Sequence, residues 1–225
     1  MRNPTFQRSL AALFALATLL SLTPATAVAS DFSYLGATTL KAGQSAGYAT
    51  VGLPDAEIGL VFGLNSIADA TPRLRLQFGR GTRIGGAGVA ASAAVRMQVA
   101  RTNRWTISLV TEPEVSVHLW GNDHPPTSTS GVPALAVTPF SMGVLADREV
   151  LPGVRVIAGI KVPVTVYLRP EWVLNVPVIA EVGAESQIAD KLTLLARIDT
   201  GADFYGPGGL PGSEAYFRVR VGIGW

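Results

Sequence analysis

The chain has 225 residues, of which 48% are hydrophobic and only 15% are charged, and it contains no cysteine. The length suits one all-β domain of barrel size, and the lack of cysteine excludes a disulfide framework and acylation at a cysteine. Setting aside Arg2 and Arg8 leaves 16 basic residues facing 16 acidic ones, a balance that gives no reason to expect a nucleic-acid partner.

The N-terminus has the pattern of a secretory signal peptide. Two arginines precede the apolar run Leu10–Leu22, and an A-x-A sequence follows at Ala25–Ala29. We predict a signal peptide at 1–29, a lead-in without clear periodicity at 30–43 and a barrel at 44–225. No later segment approaches the roughly 18 consecutive apolar residues of a spanning helix, so residence in a membrane would require a closed barrel.

From residue 45 onward the hydrophobic pattern alternates with a period of two, which predicts strands. We predict ten: Ser45–Leu53, Ala56–Leu64, Pro72–Arg80, Gly88–Ala100, Trp105–Trp120, Pro133–Ala146, Val154–Leu168, Trp172–Glu185, Leu192–Phe204 and Glu214–Trp225. Compact turns, including Asn65–Thr71 and Asp147–Gly153, alternate with connections of which three are long and rich in Gly, Pro, Ser and Thr. Both chain ends would lie at the side of the compact turns. This layout predicts an all-β fold, an antiparallel up-and-down transmembrane β-barrel of about ten strands.

The polar phase of each strand indicates which side faces lipid. In the third strand, Arg73 and Arg75 alternate with Leu74 and Leu76, and a basic residue facing lipid near the midplane costs about 2–4 kcal/mol. Small residues, mostly glycine, share the polar phase with the charges, which suits a crowded lumen better than a solvated surface. Aromatic residues near strand ends predict two interfacial girdles, formed by Trp105 and Trp225 on the turn side and by Phe78, Tyr167, Trp172, Phe204 and Phe217 on the loop side.

The last strand carries the most specific signal. Phe217, Val219, Val221, Ile223 and Trp225 alternate along one face up to a terminal aromatic residue. Together with the leader and the paired hairpins, this strand resembles those of the Gram-negative outer-membrane β-barrel superfamily, although Trp replaces the more common terminal Phe. The resemblance implies location in the outer membrane, contact with outer-membrane lipid and recognition of this strand by the barrel-assembly machinery. It implies an architecture shared by pores, enzymes and adhesins, so it does not identify a task.

The predicted register sends eight basic and seven acidic side chains into the lumen. They are Glu57, Arg73, Arg75, Arg96, Glu112, Glu114, Arg155, Lys161, Glu181, Glu185, Arg197, Asp199, Asp203, Arg218 and Arg220. Two interpretations stay open. The first is a polar core of ion pairs that makes the barrel rigid, and the second is a small channel with charged walls. A general porin is not expected, because ten strands enclose a narrow lumen.

Four prolines fall inside predicted strands, where they cannot donate to a hydrogen-bond ladder. Folding strands five and six about residue 126 places Pro113 opposite Pro139, and folding strands seven and eight about Pro170 places Pro163 opposite Pro177. We therefore expect interrupted pairing at one height. Such a level is either a rim where bulges begin or a flared, laterally opened wall.

Residues suited to catalysis or metal binding are scarce. The two histidines are His118, in the lumen phase, and His124, in the loop at 121–132 with Asp123. We predict no metal site, no cofactor and no catalytic residues, because these histidines and Asp203 match no protease or lipid-deacylase pattern residue by residue. The leading hypothesis is a structural or small-pore outer-membrane barrel. The alternatives are an outer-membrane hydrolase on the same barrel and a soluble periplasmic or secreted β-protein, and the oligomeric state stays undetermined.

Overall fold

The computed structural model describes residues 32–80, 83–102, 105–119, 134–169, 172–206 and 212–225. The predicted signal peptide, His124 and Asp123 lie outside these ranges. The strands are β1 (Ser45–Leu53), β2 (Asp55–Gly63), β3 (Ala68–Arg80), β4 (Arg83–Arg101), β5 (Thr106–Thr111), β6 (Glu114–Leu119), β7 (Ala134–Leu151), β8 (Val154–Arg169), β9 (Val173–Asn175), β10 (Val178–Ala189), β11 (Leu192–Tyr205) and β12 (Gly212–Gly224). Within the described ranges, no helix is long and apolar enough to cross a membrane.

The twelve strands form a closed antiparallel barrel with ten strand positions around its circumference. We call these positions staves and number them in chain order from β1. β5 and β6 are two parts of one stave because both pair with β4 and β7, and β9 and β10 form another because both pair with β8 and β11. The last strand closes the barrel onto the first, from Tyr48 opposite Gly224 to Leu53 opposite Val219. The predicted fold class, an up-and-down barrel of about ten strands, is confirmed.

The exterior of the barrel is apolar. Large hydrophobic side chains point outward on every stave, among them Val51, Leu74, Val95, Leu109, Met142, Ile160, Val182, Ile198 and Val221. The lumen receives the opposite phase of each strand, which carries the charges and most of the glycines. A closed barrel whose outer face exposes large apolar side chains and whose lumen holds ion pairs is a transmembrane β-barrel. One aromatic prediction is wrong, because Tyr167 is buried in the lumen rather than exposed in a girdle.

Two predicted turns are partly strand. β3 begins at Ala68 rather than at Pro72, and β7 continues to Leu151 rather than stopping at Ala146. The reason is that the Asp69 and Asp147 side chains point inward and accept hydrogen bonds from buried groups. The alternation between inward and outward side chains therefore continues through these two residues. A polar residue near a turn looks solvent-facing in the sequence, whereas here it faces inward.

The prolines interrupt the ladder at one height, as expected. Pro113 separates β5 from β6 and lies opposite the bulge at residues 138–139 of β7, between Val137 and Phe140. Pro163 and Pro177 lie level with each other, in the gap between the β8–β9 and β8–β10 pairings. Pairing is therefore interrupted at Pro113, Pro139 and Pro177, whereas β8 still pairs with β7 through Pro163, which lies opposite Ser141.

The lead-in folds back into the turn end of the barrel. Every residue from Phe32 to Leu40 is buried, although none of them pairs as a strand. Phe32, Tyr34 and Leu40 join Tyr48 and inward-facing wall residues in an apolar cluster. We call Phe32–Leu40 the plug. Burial of these apolar groups against the wall supplies part of the free energy that holds the plug in place.

Candidate functional site

The lumen is the candidate site, and the structure places all fifteen sequence-predicted charges on its side of the wall. It has three levels along the barrel axis. The plug and its anchors occupy the turn end, a cluster of ion pairs crosses the middle, and a cavity lies toward the loop end.

At the turn end, carboxylates of the wall accept hydrogen bonds from the plug. Asp147 Oδ2 accepts from the backbone N–H groups of Ala37 and Thr38, each at 2.6 Å. Glu185 Oε1 accepts from the Leu35 N–H at 2.7 Å and the Ser33 hydroxyl at 2.9 Å. Side chains of the wall thus accept hydrogen bonds from plug backbone N–H groups in place of a strand ladder. A buried segment needs such partners when it does not pair as a strand.

Arg96 joins the plug to the wall. Its guanidinium forms a bidentate pair with Asp69, through Nε to Oδ1 at 2.9 Å and through Nη2 to Oδ2 at 2.6 Å. The remaining nitrogen, Nη1, donates to the carbonyls of Ser33 and Gly36 at 2.7 and 2.6 Å. The planar five-donor fork of arginine can serve three acceptor groups at once, which a lysine could not do with the same geometry.

Two glycines make room for the plug. A Cβ on Gly224 would lie 2.5 Å from the Tyr34 ring, and a Cβ on Gly36 would lie 2.5 Å from Ser33 Oγ and 2.7 Å from Asp147 Oδ2. Glycine at these positions lets the backbone approach its neighbours closely. The turn end of the lumen is therefore shaped to hold this segment.

In the middle of the barrel, eight side chains of alternating charge form a closed circuit. We call it the ion-pair ring: Glu57, Arg75, Glu112, Lys161, Glu181, Arg197, Asp199 and Arg220. Its members come from β2, β3, the break between β5 and β6, β8, β10, β11 and β12, so the ring runs around the whole lumen.

In most pairs of the ring, the nitrogen and oxygen atoms lie within hydrogen-bonding distance. Glu57 Oε2 lies 3.0 Å from Arg75 Nε and 2.7 Å from Arg220 Nη1. Lys161 Nζ lies 3.1 Å from Glu181 Oε1 and 3.8 Å from Glu112 Oε2. Arg197 contacts both Glu181 and Asp199. Buried charges are tolerated only when they are paired in this way.

Four further charges pair with the ring and preserve its neutrality. Arg73 contacts Glu112 at 3.1 Å, and Glu114 contacts Arg75 at 3.1 Å. Arg218 contacts both Asp55 and Asp199 at 2.8 Å. With these four, six acidic and six basic groups lie within one connected cluster. The ring side chains are only 0–11% exposed. Water therefore reaches little of this level.

Toward the loop end lies a cavity of about 120 Å³, which we call the outer cavity. Its floor is formed by members of the cluster. Its walls carry hydroxyl, amide and imidazole groups from Gln77, Ser116, His118, Thr138, Ser141, Thr165, Tyr167, Asn175 and Tyr216. Pro54, Pro163 and Pro177 also line it, so the cavity coincides with the interrupted level of the wall.

Within the outer cavity, His118 Nε2 lies 3.3 Å from Ser116 Oγ. The two residues share one face of β6 because they are two positions apart. A serine beside a histidine is the minimum arrangement for nucleophilic attack. Across the part of the chain that the structure describes, no group of three or more His, Cys, Asp and Glu side chains could hold a metal ion.

Several lumen residues escape sequence reasoning. Asp55, Asp69 and Asp147 all face inward, but the sequence places them in turns or at strand ends. A signal for them exists: Asp69 has the same parity as Arg73 and Arg75, so extending the strand backward would have found it. The plug has no comparable signal, because its partners lie far away along the chain.

No protein-family model matches this chain, and no curated protein does either. Among solved structures, a bacterial polysaccharide outer membrane secretin matches over 78% of this chain and 57% of its own, at 8% identity and a TM-score of 0.46. The outer membrane channel DcaP of Acinetobacter baumannii matches over 84% and 60%, at 12% identity and 0.34. The NanC porin matches over 80% and 97%, at 9% identity and 0.35. The chain spans less than two thirds of the first two structures. These similarities concern the barrel alone and assign no residue a role.

Proposed function

We propose that this protein is an outer-membrane β-barrel of structural type whose lumen is sealed. The observation that carries the proposal is the buried ion-pair ring, since a water-filled pore would leave its side chains exposed. The plug adds a second seal in series at the turn end. A hydrated ion would have to separate paired charges and displace the plug in order to pass, and both are unfavourable in a confined lumen of low dielectric.

Planar-bilayer recordings test the sealed lumen. We expect no single-channel steps from the full-length protein, and none from a variant that lacks residues 32–40, because the ring remains in place. Insertion is verified in the same sample by heat-modifiable gel mobility. Reproducible steps from the full-length protein would establish the small-pore alternative, and steps from the shortened variant alone would make the plug the only seal.

The proposed partners are outer-membrane lipid and the barrel-assembly machinery. Phe217, Val219, Val221 and Ile223 lie on the outer face of β12, and Trp225 covers Gly47 of β1. This placement leaves an apolar row with a terminal aromatic available to a recognition partner before the barrel closes. We expect Trp225→Ser to lower the amount of assembled barrel in cells, while Trp172→Ser, which changes an exposed aromatic residue elsewhere, leaves it unchanged.

A hydrolase is the second candidate, and the Ser116–His118 contact is the observation that favours it. In this hypothesis His118 would accept the Ser116 proton as Oγ attacks an ester carbonyl, and would return it to the leaving alcohol. The test is hydrolysis of a chromogenic short-chain ester by the detergent-solubilised protein. Loss of activity in both Ser116→Ala and His118→Gln, but not in Ser141→Ala, which alters another buried serine of the outer cavity, would support it. Absence of turnover in the unmodified protein would eliminate it.

A further inference from the structure

The outer cavity has a feature that a sealed structural barrel does not require. Two side-chain oxygens on its walls, Gln77 Oε1 and Asn175 Oδ1, are buried and have no hydrogen-bond partner among the described residues. Asp55 Oδ1, at the same cavity, also accepts no hydrogen bond, although it lies 3.8 Å from Arg220 Nε. All three are acceptors. Buried polar atoms nearly always form hydrogen bonds, so three acceptors without one around the same cavity point to an occupant that donates hydrogen bonds.

The orientation of Asn175 is fixed by its neighbour. Its Nδ2 donates to Asp203 Oδ1 at 3.2 Å, so the unpaired atom is the oxygen rather than the nitrogen. Asn175 is only 1% exposed and Asp55 only 3%. Because Asp55, Gln77 and Asn175 all belong to strands of the wall, the cavity is already formed before any molecule enters it.

The position of the acceptors restricts the shape of the occupant. Gln77 lies on β3, the third stave, and Asn175 lies on β9, in the eighth stave, so four of the ten staves lie between them in either direction. They therefore face each other from opposite walls. A single ammonium group donates all its hydrogen bonds from one point and cannot serve both walls, whereas hydroxyl groups spread around a small molecule can.

The charge of the cavity restricts the occupant further. Its basic residues, Arg75, Lys161 and Arg218, are all ion-paired within the cluster below. No cation among them is left to bind an anionic molecule. The rest of the wall supplies hydroxyls that can donate or accept, and the two tyrosines, Tyr167 and Tyr216, add ring surface.

We propose that the outer cavity binds a neutral polyhydroxylated molecule no larger than one sugar ring. The volume of about 120 Å³ is somewhat below the roughly 150 Å³ of a cavity that holds a benzene ring, so a small polyol fills the cavity and anything larger has to extend outward toward the loop end. Its hydroxyls donate to Gln77 and Asn175 on opposite walls and to Asp55 at the floor. This site is independent of whether the lumen conducts.

Saturation-transfer NMR on the full-length protein in lauryldimethylamine oxide micelles tests the proposal, since this detergent carries no sugar. The probes are myo-inositol and D-glucose, with ethylammonium chloride and sodium acetate as the charged comparison. We expect saturable transfer to at least one neutral probe and none to ethylammonium or acetate.

Matched variants locate the binding. Gln77→Met removes one unpaired acceptor while keeping the side-chain length, and each lost hydrogen bond is expected to weaken binding by about two- to tenfold. Thr50→Val is the control, because Thr50 Oγ1 is also buried and unpaired among the described residues but does not line the outer cavity. Gln77→Glu keeps the acceptor and should retain binding of the neutral probe.

The outcomes are decisive in either direction. Saturable binding of a neutral probe that weakens in Gln77→Met and not in Thr50→Val supports the proposal. Binding of ethylammonium alone, equal loss in both variants, or no saturable binding by a barrel that shows heat-modifiable mobility would overturn it, the last result meaning that the cavity holds water only.

Discussion

At the scale of single residues, Arg96 shows how a buried charge can hold two parts of the chain together. Its side chain is 2% exposed and every nitrogen of the guanidinium has an acceptor, two on Asp69 and two on plug carbonyls. The desolvation penalty of such a group is offset only while all these partners remain. Loss of the arginine would leave the Asp69 carboxylate buried without its counter-ion and two carbonyls without a donor.

We therefore expect Arg96→Met to lower the free energy of unfolding by about 3–5 kcal/mol. Urea titration of the refolded protein in lipid vesicles, followed by tryptophan fluorescence, measures the change. Arg101→Met, which replaces an exposed arginine at the end of the same strand, should alter stability by less than about 0.5 kcal/mol. Equal losses in the two variants would show that the Arg96 contacts contribute nothing specific.

At the scale of elements, the plug differs from the strands around it because it forms no hydrogen-bond ladder. It is held by Asp69, Glu185, Arg96 and Asp147, which belong to four different strands. A segment fixed by side chains from four strands is held in one position, although its own sequence has no strand or helix period.

The lack of native cysteine allows a direct test of where the plug lies. In the folded barrel we expect Leu35→Cys to react with a maleimide about a hundredfold more slowly than Ala42→Cys, since residue 35 is buried and residue 42 exposed. That factor corresponds to an opening free energy of roughly 3 kcal/mol. The difference should vanish in denaturant. Equal rates in the folded protein would mean that the plug leaves the lumen readily.

The plug also marks the limit of what the sequence predicts. The alternation of side chains along a strand is enough to predict that Arg197 and Asp199 face the lumen, because this period of two follows directly from the chain geometry. Parity could not find residues 32–40, whose partners Asp147 and Glu185 lie 109–152 positions away. The contact between Ser116 and His118 could not be predicted either. Parity shows that the two side chains share a face of the strand, but not which rotamers bring them together.

The outer face of the strands decides between a membrane barrel and a soluble one. Val182, in the middle of β10, is 61% exposed, and Ile188, near the turn end of the same strand, is 53% exposed. We expect Val182→Arg to cost about 2–4 kcal/mol and Ile188→Arg about 0–1 kcal/mol, because the penalty for a cation facing lipid falls toward the interface. Urea titrations in vesicles give both values. If both substitutions were neutral, these positions would be facing water.

At the scale of the whole molecule, stability depends on closure. β12 pairs with β11 along its whole length and with β1 along the part from Val219 to Gly224. Without it, β1 and β11 would each expose an unpaired edge in the hydrocarbon, where every unsatisfied backbone group costs several kcal/mol.

Gel mobility of boiled and unboiled samples tests this dependence. We expect the full chain to migrate differently before and after boiling, and a variant lacking residues 212–225 to show no such difference. A variant lacking residues 32–40 should retain it, because the plug contributes no ladder. Heat-modifiable mobility in the variant without β12 would show that closure is not what stabilises the barrel.

The distance along the chain between the plug and its acceptors has a consequence for the order of assembly. The plug precedes every strand along the chain, yet the acceptor of Leu35 is 150 residues downstream and the partner of β1 is the last strand. Neither the plug nor the seam can be completed until nearly the whole chain has arrived. As long as the wall is open, water can reach the charged residues that line it. The removal of water from the lumen is therefore deferred to the final step, when closure of the wall and seating of the plug occur together.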